Sequence, residues 1–379
     1  MKKLGLYIHI PFCIKKCAYC DFYSLCHTKA KEEQYINALC KHIEWEAPLY
    51  KDYEFDTVFL GGGTPSVLSV SSFNTLVNTI KKHLNLTQGG EFTVEANPGT
   101  LTREKLVAYK NAGVNRLSVG LQSTNDSELA ALGRIHTLDT FKESYYLARE
   151  CGFDNISIDV MYGLPNQKTE DFLKTLDHVC DFSPEHISAY CLKIEDNTPF
   201  GRQRNTLALP SDEEEYQMYI SLCEILEKRG YKQYEISNFA KDNYRSRHNL
   251  KYWLSHEYIS FGPSSHSYYN GIRYSYPNDI DSYIEQAMHS IPVRESEELL
   301  EPSLKMEQMD EYVMLKLRLV DGISETDFKS LFCADFIKEY PNIEKYVKSG
   351  HVSHQNGVFH FTPKGFFVSN FILTEILHI

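Results

Sequence analysis

No stretch of the 379-residue chain offers the roughly 20 consecutive apolar residues that a membrane-spanning helix needs, so a soluble protein is expected. A surplus of positive charge is missing as well: 39 Lys and Arg stand against 51 Asp and Glu, a net charge of −12. That balance argues against a nonspecific polyanion binder, and a large acidic ligand would need arginines placed locally to receive it. Low-complexity tracts are absent. So is a signal peptide: Met1-Lys-Lys would suit one, but the apolar stretch behind it is short, alternates with Tyr7 and His9, and runs into Pro11. It reads as a strand. Seven of the ten cysteines are scattered singly, and Cys40, Cys151, Cys180 and Cys223 fall in amphipathic segments as small buried hydrophobes, which suits a reducing cytoplasm.

The other three cysteines form a unit, Cys13-x-x-x-Cys17-x-x-Cys20, directly behind the apolar run 6–12. Three thiolates on one short loop can hold three irons of a cubane and leave the fourth open to a small molecule. Zinc is the competing reading, with Cys26 or His27 as its fourth ligand. A redox CxxC pair would leave Cys13 without a role.

The length suits one large core with a smaller appended domain. Up to about residue 194, short β-rich runs alternate with segments of helical spacing. Strands are predicted over 6–10, 57–60, 92–95, 116–119, 155–160 and 186–192. Right-handed crossovers curl six such βα units into a partial barrel, with the functional loops at the carboxyl ends of the strands. Ser211 with Glu214 forms a capping box for a helix reaching about Gly230. The segment 231–300 is rich in tyrosine and histidine and reads as an elaboration on the barrel (1–230). Beyond an acidic stretch, Glu295 to Glu301, the segment 301–379 combines helices over 309–319 and after Ser324 with a hairpin turn at Asn356-Gly357, a winged-helix-like domain. It has no conspicuous basic recognition helix, so docking or structure is favoured over nucleic-acid binding.

Polar or glycine-rich groups follow the predicted strands. Gly61-Gly62-Gly63-Thr64-Pro65 lets backbone approach a ligand closely. Glu95 and Asp159 are carboxylates facing the barrel mouth, Gln122 holds the corresponding place after the fourth strand, and Arg134 offers a planar fork suited to a carboxylate. Each alone also fits an ordinary cap or salt bridge. Together they converge on one mouth.

The segments Tyr7-Ile-His-Ile-Pro-Phe-Cys13, Tyr19-Cys20-Asp21-Phe22, Gly61 to Pro65, Asn115-Arg-Leu-Ser-Val-Gly-Leu-Gln122 and Asp159-Val-Met-Tyr-Gly-Leu-Pro165 resemble radical S-adenosylmethionine proteins. The nearest branch is the oxygen-independent coproporphyrinogen III oxidase group, and Glu311-Tyr-Val-Met-Leu-Lys-Leu-Arg318 with Asp321-Gly322 extends the likeness to about Leu373. This resemblance implies a 4Fe-4S cluster on Cys13, Cys17 and Cys20. It also implies S-adenosylmethionine contacts from Tyr7, Tyr19, Gly62, Gly63, Thr64, Glu95, Gln122, Arg134 and Asp159. In such proteins an electron entering the cluster cleaves the sulfonium bond and generates a 5′-deoxyadenosyl radical.

Two features depart from the oxidase pattern. A further cysteine two positions after the third is replaced by Phe22, and an N-terminal extension is lacking. Both are features of the related heme chaperone family HemW. The segment Arg247-His-Asn-Leu-Lys-Tyr-Trp253 is similar to the His-Asn-x-x-Tyr-Trp motif of that family, which implies heme binding by His248, Asn249, Tyr252 and Trp253. Read without the resemblance, a hydrogen-bonded structural histidine beside a packed tryptophan is the preferred reading of His248. The expected function is therefore heme chaperoning, with catalytic turnover left open. The partners would be heme, acceptor hemoproteins that include membrane-associated ones, and a second copy in a homodimer. Oxidative decarboxylation of coproporphyrinogen III is the alternative.

Overall fold

The computed structural model describes residues 1–299 and 305–378. Leu300 and Glu301, the end of the acidic stretch, lie outside these residues, as does the boundary expected between 300 and 301. Six parallel strands form the centre: β1 (Lys2–Ile10), β2 (Tyr53–Gly62), β3 (Leu86–Ala96), β4 (Arg116–Gln122), β5 (Ile156–Tyr162) and β6 (His186–Cys191). They coincide with the six predicted strands, the first three of them four to six residues longer at their amino ends. On β1 the period of two is plain: Leu4, Leu6, Ile8 and Ile10 are fully buried in the apolar core, while Tyr7 and His9 face the barrel interior. The intervening helices are α1 (Lys29–Glu46), α2 (Val70–His83), α3 (Arg103–Ala112), α4 (Asp126–Ala131), α5 (Leu138–Glu150) and α6 (Thr169–Asp181). Helix α7 (Asp212–Lys228) follows β6, opened by the expected capping box of Ser211 and Glu214.

The tyrosine-rich segment completes both edges of the same sheet. Strands β7 (Lys232–Gln233) and β8 (Asn238–Ala240) pair antiparallel beside β6. The chain then passes through helix α8 (Arg247–Trp253) to the opposite edge, where β9 (Tyr258–Phe261) runs parallel to β1. Beyond it, β10 (His266–Tyr269), β11 (Ile272–Ser275) and β12 (Ser296–Leu299) follow antiparallel. The C-terminal part is helical around a three-stranded sheet, and Asn356 and Gly357 both adopt positive φ (54° and 74°) in the predicted hairpin turn. It docks on the barrel through Phe367 against Tyr216 and Tyr219, and through the Val320 amide on the Tyr234 carbonyl.

A buried polar cluster joins α1 to the added edge. Glu46 accepts from Tyr50 (2.6 Å) and Tyr276 (2.9 Å), lies 3.4 Å from His42 and 3.8 Å from Arg294, and has no exposed surface. Burial opposes its ionisation, but hydrogen bonds from His42 and the two tyrosines outweigh that and hold the carboxyl below its ordinary value. Glu46→Ala would leave these groups unpaired in a closed site, and the expected loss is about 3–5 kcal/mol in urea unfolding. A loss below about 1 kcal/mol would show that the cluster does not secure the edge.

Candidate functional site

The cysteine loop closes one side of the barrel mouth. Phe12–Cys13 pairs with Leu25–Cys26, and the Ala18 amide donates to the Leu132 carbonyl, so both ends and the middle of the loop are tied down. Cys13, Cys17 and Cys20 are half-buried free thiols. Thr64 Oγ1 lies 3.4 Å from Cys13 Sγ, and Arg134 Nη1 donates to Cys17 Sγ at 3.5 Å, a cationic donor suited to a thiolate. Burial pushes the Cys20 thiol up to about 11, so in the metal-free loop it is protonated and a metal would displace that proton. Among the described residues no three His, Cys, Asp or Glu side chains converge on a single ion. A cubane does not require that, because each thiolate binds its own iron. Of the two residues considered as a fourth zinc ligand, Cys26 is exposed and His27 has its Nε2 hydrogen-bonded to Glu32.

Around this loop the strand ends present the expected groups. Gly62, at φ 110°, donates its amide to Glu95 Oε2 (3.1 Å); a side chain there would collide with the His9 ring. Gly63 and Thr64 donate their amides to the carbonyls of Ile10 and Phe12, pinning the turn beside the cysteines. The Glu95 carboxyl is pushed up to about 8 by burial and by the nearby Asp159 charge. Asp159 is also raised by burial, although Ser118 and Ser157 donate to it at 3.1 and 3.3 Å. Gln122, at φ 74°, takes a hydrogen bond from Tyr190 and sits behind that ring. The Arg134 fork is engaged within the protein, by Asn97 Oδ1 at 2.8 Å, the Gly120 carbonyl and Cys17. Tyr7, Tyr19, Glu95 and Asp159 all line one cavity of about 1040 Å³ inside the barrel. Three loop thiols, one of them bound by a guanidinium, and a buried carboxyl with only one backbone donor are a donor set that fits a cluster and an aminoacyl nucleotide.

At its other end the cavity is lined by Asn249, Tyr252 and Trp253 of α8. This helix is held from inside the barrel: Glu91 accepts the amides of Arg247 (2.8 Å) and His248 (3.0 Å), Ser246 caps it, and Lys251 pairs with Asp56 at 2.7 Å. His248 itself is fully buried. Its Nδ1 meets Thr57 Oγ1 at 2.8 Å, its Nε2 meets the Tyr252 hydroxyl at 2.8 Å, and its ring stacks on Phe59. Burial, with the charges of Lys251 and Arg116, pushes its pKa down to about 3, so the ring is neutral. His248 and Tyr252 thus share a helix face as expected, while Asn249, Tyr252 and Trp253 reach the cavity directly. Glu91 and Thr57 were not singled out from the sequence. A period of two counted back from Glu95 would have placed Glu91 on the inward face.

Two outcomes follow from this geometry. Glu91→Ala would free two buried amides and uncap α8, at an expected cost of about 1–3 kcal/mol, read by urea unfolding and by faster hydrogen exchange of the Arg247 and His248 amides. Unchanged exchange at those amides would refute the anchoring. For Glu95, a folded value near 8 against an ordinary 4.5 means that the unfolded chain binds fewer protons across that window, so stability falls as pH rises from about 4.5 to 8. Glu95→Gln should flatten this part of the melting temperature against pH profile; an unaltered slope would assign it elsewhere.

Comparison with known proteins agrees with this architecture. The Radical SAM superfamily model matches residues 7–179, and the HemN C-terminal domain model matches residues 305–368. Heme chaperone HemW of Buchnera aphidicola subsp. Schizaphis graminum is 35% identical over 380 residues, covering 99% of this chain and 98% of the relative. The Bacillus subtilis protein of the same name is 35% identical, with 98% of each chain covered, and that of Escherichia coli is 33% identical, with 99% and 98% covered. In fold, the chain is similar to coproporphyrinogen III oxidase (HemN) from Escherichia coli, a radical SAM enzyme, with a TM-score of 0.86 at 22% identity over 100% of this chain and 90% of that one. The thiol loop, the six parallel strands, the matched domains and the chain-length identity together make this chain a member of the HemW family of the radical SAM superfamily.

Proposed function

We propose that this protein is a heme chaperone that carries a 4Fe-4S cluster and S-adenosylmethionine, holds heme and passes it to acceptor hemoproteins. The observation that carries this reading is the single cavity of about 1040 Å³ running from Cys20 and Asp159 to Asn249, Tyr252 and Trp253. Its size lies at the top of the roughly 300–1,000 Å³ of small-molecule sites, room for a macrocycle beside a nucleotide. Cys13, Cys17 and Cys20 would hold the cluster, with Thr64 and Arg134 against two of the sulfurs. Tyr7, Tyr19, Glu95 and Asp159 would face the nucleotide, and the glycine turn, Gln122 and Arg134 would fix the walls around it. The bound cluster and nucleotide supply one-electron chemistry; the protein contributes position and exclusion of water.

For heme, the flat faces of Tyr252 and Trp253 offer an apolar wall, and His248 offers a neutral imidazole. To reach iron, His248 must exchange its bond to the Tyr252 hydroxyl, which makes that tyrosine a latch on the ligand. Phe22 stands 70% exposed at the cavity mouth, where an oxidase would carry another cysteine, and favours passage of an apolar cargo over a fourth thiolate. No helix among the described residues is long and apolar enough to cross a membrane. We place the protein in the cytoplasm, where ten unpaired cysteines are stable, with membrane-associated hemoproteins among its acceptors and a homodimer as a possible assembly.

Titrating cluster-reconstituted protein with hemin should give a saturable Soret band that His248→Ala shifts and weakens. Tyr252→Phe, which releases the imidazole, should tighten binding. A missing band, or one indifferent to His248→Ala, would remove the assigned site. Protoporphyrinogen formed at a catalytic rate from coproporphyrinogen III, under reductant and S-adenosylmethionine, would put the oxidase reading in its place.

A further inference from the structure

Arg116 is the largest fully buried side chain of the barrel, 2% exposed, and it lines the cavity. It opens β4 at a position that pairs in register with Thr93 of β3, and Thr93 in turn pairs with Phe59 of β2. Phe59 faces Tyr7 across β1 and stacks on His248. Arg116 therefore stands one layer above α8 and one layer below the ring of polar groups formed by Glu95, Ser118 and Ser157. Among the described residues its guanidinium makes no hydrogen bond and no ion pair, and its Nε is buried without a partner. The hydroxyl of Thr93, its neighbour in register and itself fully buried, is also without one.

This is an expensive arrangement. A guanidinium cannot shed its charge when buried, and an uncompensated buried charge costs several kcal/mol. The cavity's own carboxyls offset that charge only at a distance: Arg116 favours ionisation of both Asp159 and Glu95, but Asp159 accepts from Ser118 and Ser157 and Glu95 from the Gly62 amide, and neither bonds the guanidinium. Both are also raised by burial, Glu95 to about 8. Arg134, the other guanidinium at the site, gives both terminal nitrogens to protein acceptors and leaves only its Nε without one. What remains is a fork of donors facing an internal space large enough for a ligand, in a chain whose net charge is −12. Such a fork matches a carboxylate in geometry and charge.

We propose that Arg116 receives a carboxylate of the ligand bound in the barrel, pairing with it inside the cavity between α8 and the Glu95 layer. Two ligands of the proposed function carry one: a propionate of a tetrapyrrole, and the aminoacyl end of S-adenosylmethionine. The assignment rests on that function for its ligands. Its test is arranged so that the two can fail separately.

Cluster-reconstituted full-length protein is titrated with hemin and with hemin dimethyl ester, and in parallel with S-adenosylmethionine and its decarboxylated form. Wild-type protein should prefer the carboxylate-bearing member of one pair by roughly tenfold to a hundredfold, the range expected of hydrogen bonds to a charged group. Arg116→Gln should abolish that preference by weakening only the carboxylate form, and Arg116→Lys should retain part of it. The pair that responds identifies the source. The wild-type comparison stands alone if Arg116→Gln does not fold, a point settled by its circular dichroism and melting temperature. Equal affinity of wild-type protein for both members of each pair, or no affinity for any of the four, overturns the assignment. So does a folded Arg116→Gln variant that keeps the preference. Absence of hemin binding alone overturns the chaperone reading, and leaves the nucleotide pair to decide the role of Arg116.

Discussion

Two hydrogen bonds from the amides of Arg247 and His248 to the Glu91 carboxylate fix the floor of the barrel. A helix start exposes amides that need acceptors, and a carboxylate on an inward strand position meets that need without water. With the start fixed, one turn of helix brings Asn249, Tyr252 and Trp253 to the cavity while His248 is pressed between Thr57, Phe59 and Tyr252. If Glu91 did not hold α8 in place, the strands would surround an open channel. With it, they surround a space floored by α8 whose contents are decided by layers of inward side chains.

Those layers separate unlike chemistry along one axis. The thiol loop lies at the mouth, with Cys20 in the cavity wall and Cys17 bound by Arg134 outside it; Glu95 and Asp159 form the next level; Arg116 and aromatic rings lie beneath; the tyrosine and tryptophan of α8 line the bottom. Low polarity in the interior makes every unpaired group costly, which is why the two carboxyls are raised and His248 is neutral. The same low polarity strengthens any charge-matched contact that a ligand brings. A site of this kind is built to be completed by what it binds.

Much of this was legible in the chain. The six strands, the capping box at Ser211, the hairpin turn at Asn356-Gly357 and the grouping of Cys13, Cys17 and Cys20 follow from local patterns, because period, cap chemistry and turn chemistry act over a few residues. The pairing partners were less visible. Nothing local indicates that 232–240 and 258–299 join opposite edges of one sheet, since edge pairing depends on long-range closure. The bonding of His248 was likewise open: helical spacing put Tyr252 on its face, but only the approach of β2 supplies Thr57 and Phe59.

The sequence by itself determined which residue types could do chemistry: a three-cysteine loop, carboxylates and an arginine at strand ends, and an imidazole with aromatics four and five residues on. Tertiary structure decided which of them are free to do it. Arg134, singled out as a carboxylate fork, has its terminal nitrogens bound by Asn97, Gly120 and Cys17, whereas Arg116, read only as the start of a strand, is buried in the cavity wall without a hydrogen bond. The reason is physical: the need for a partner is set by burial, and burial is a property of the assembled fold rather than of any segment of the chain.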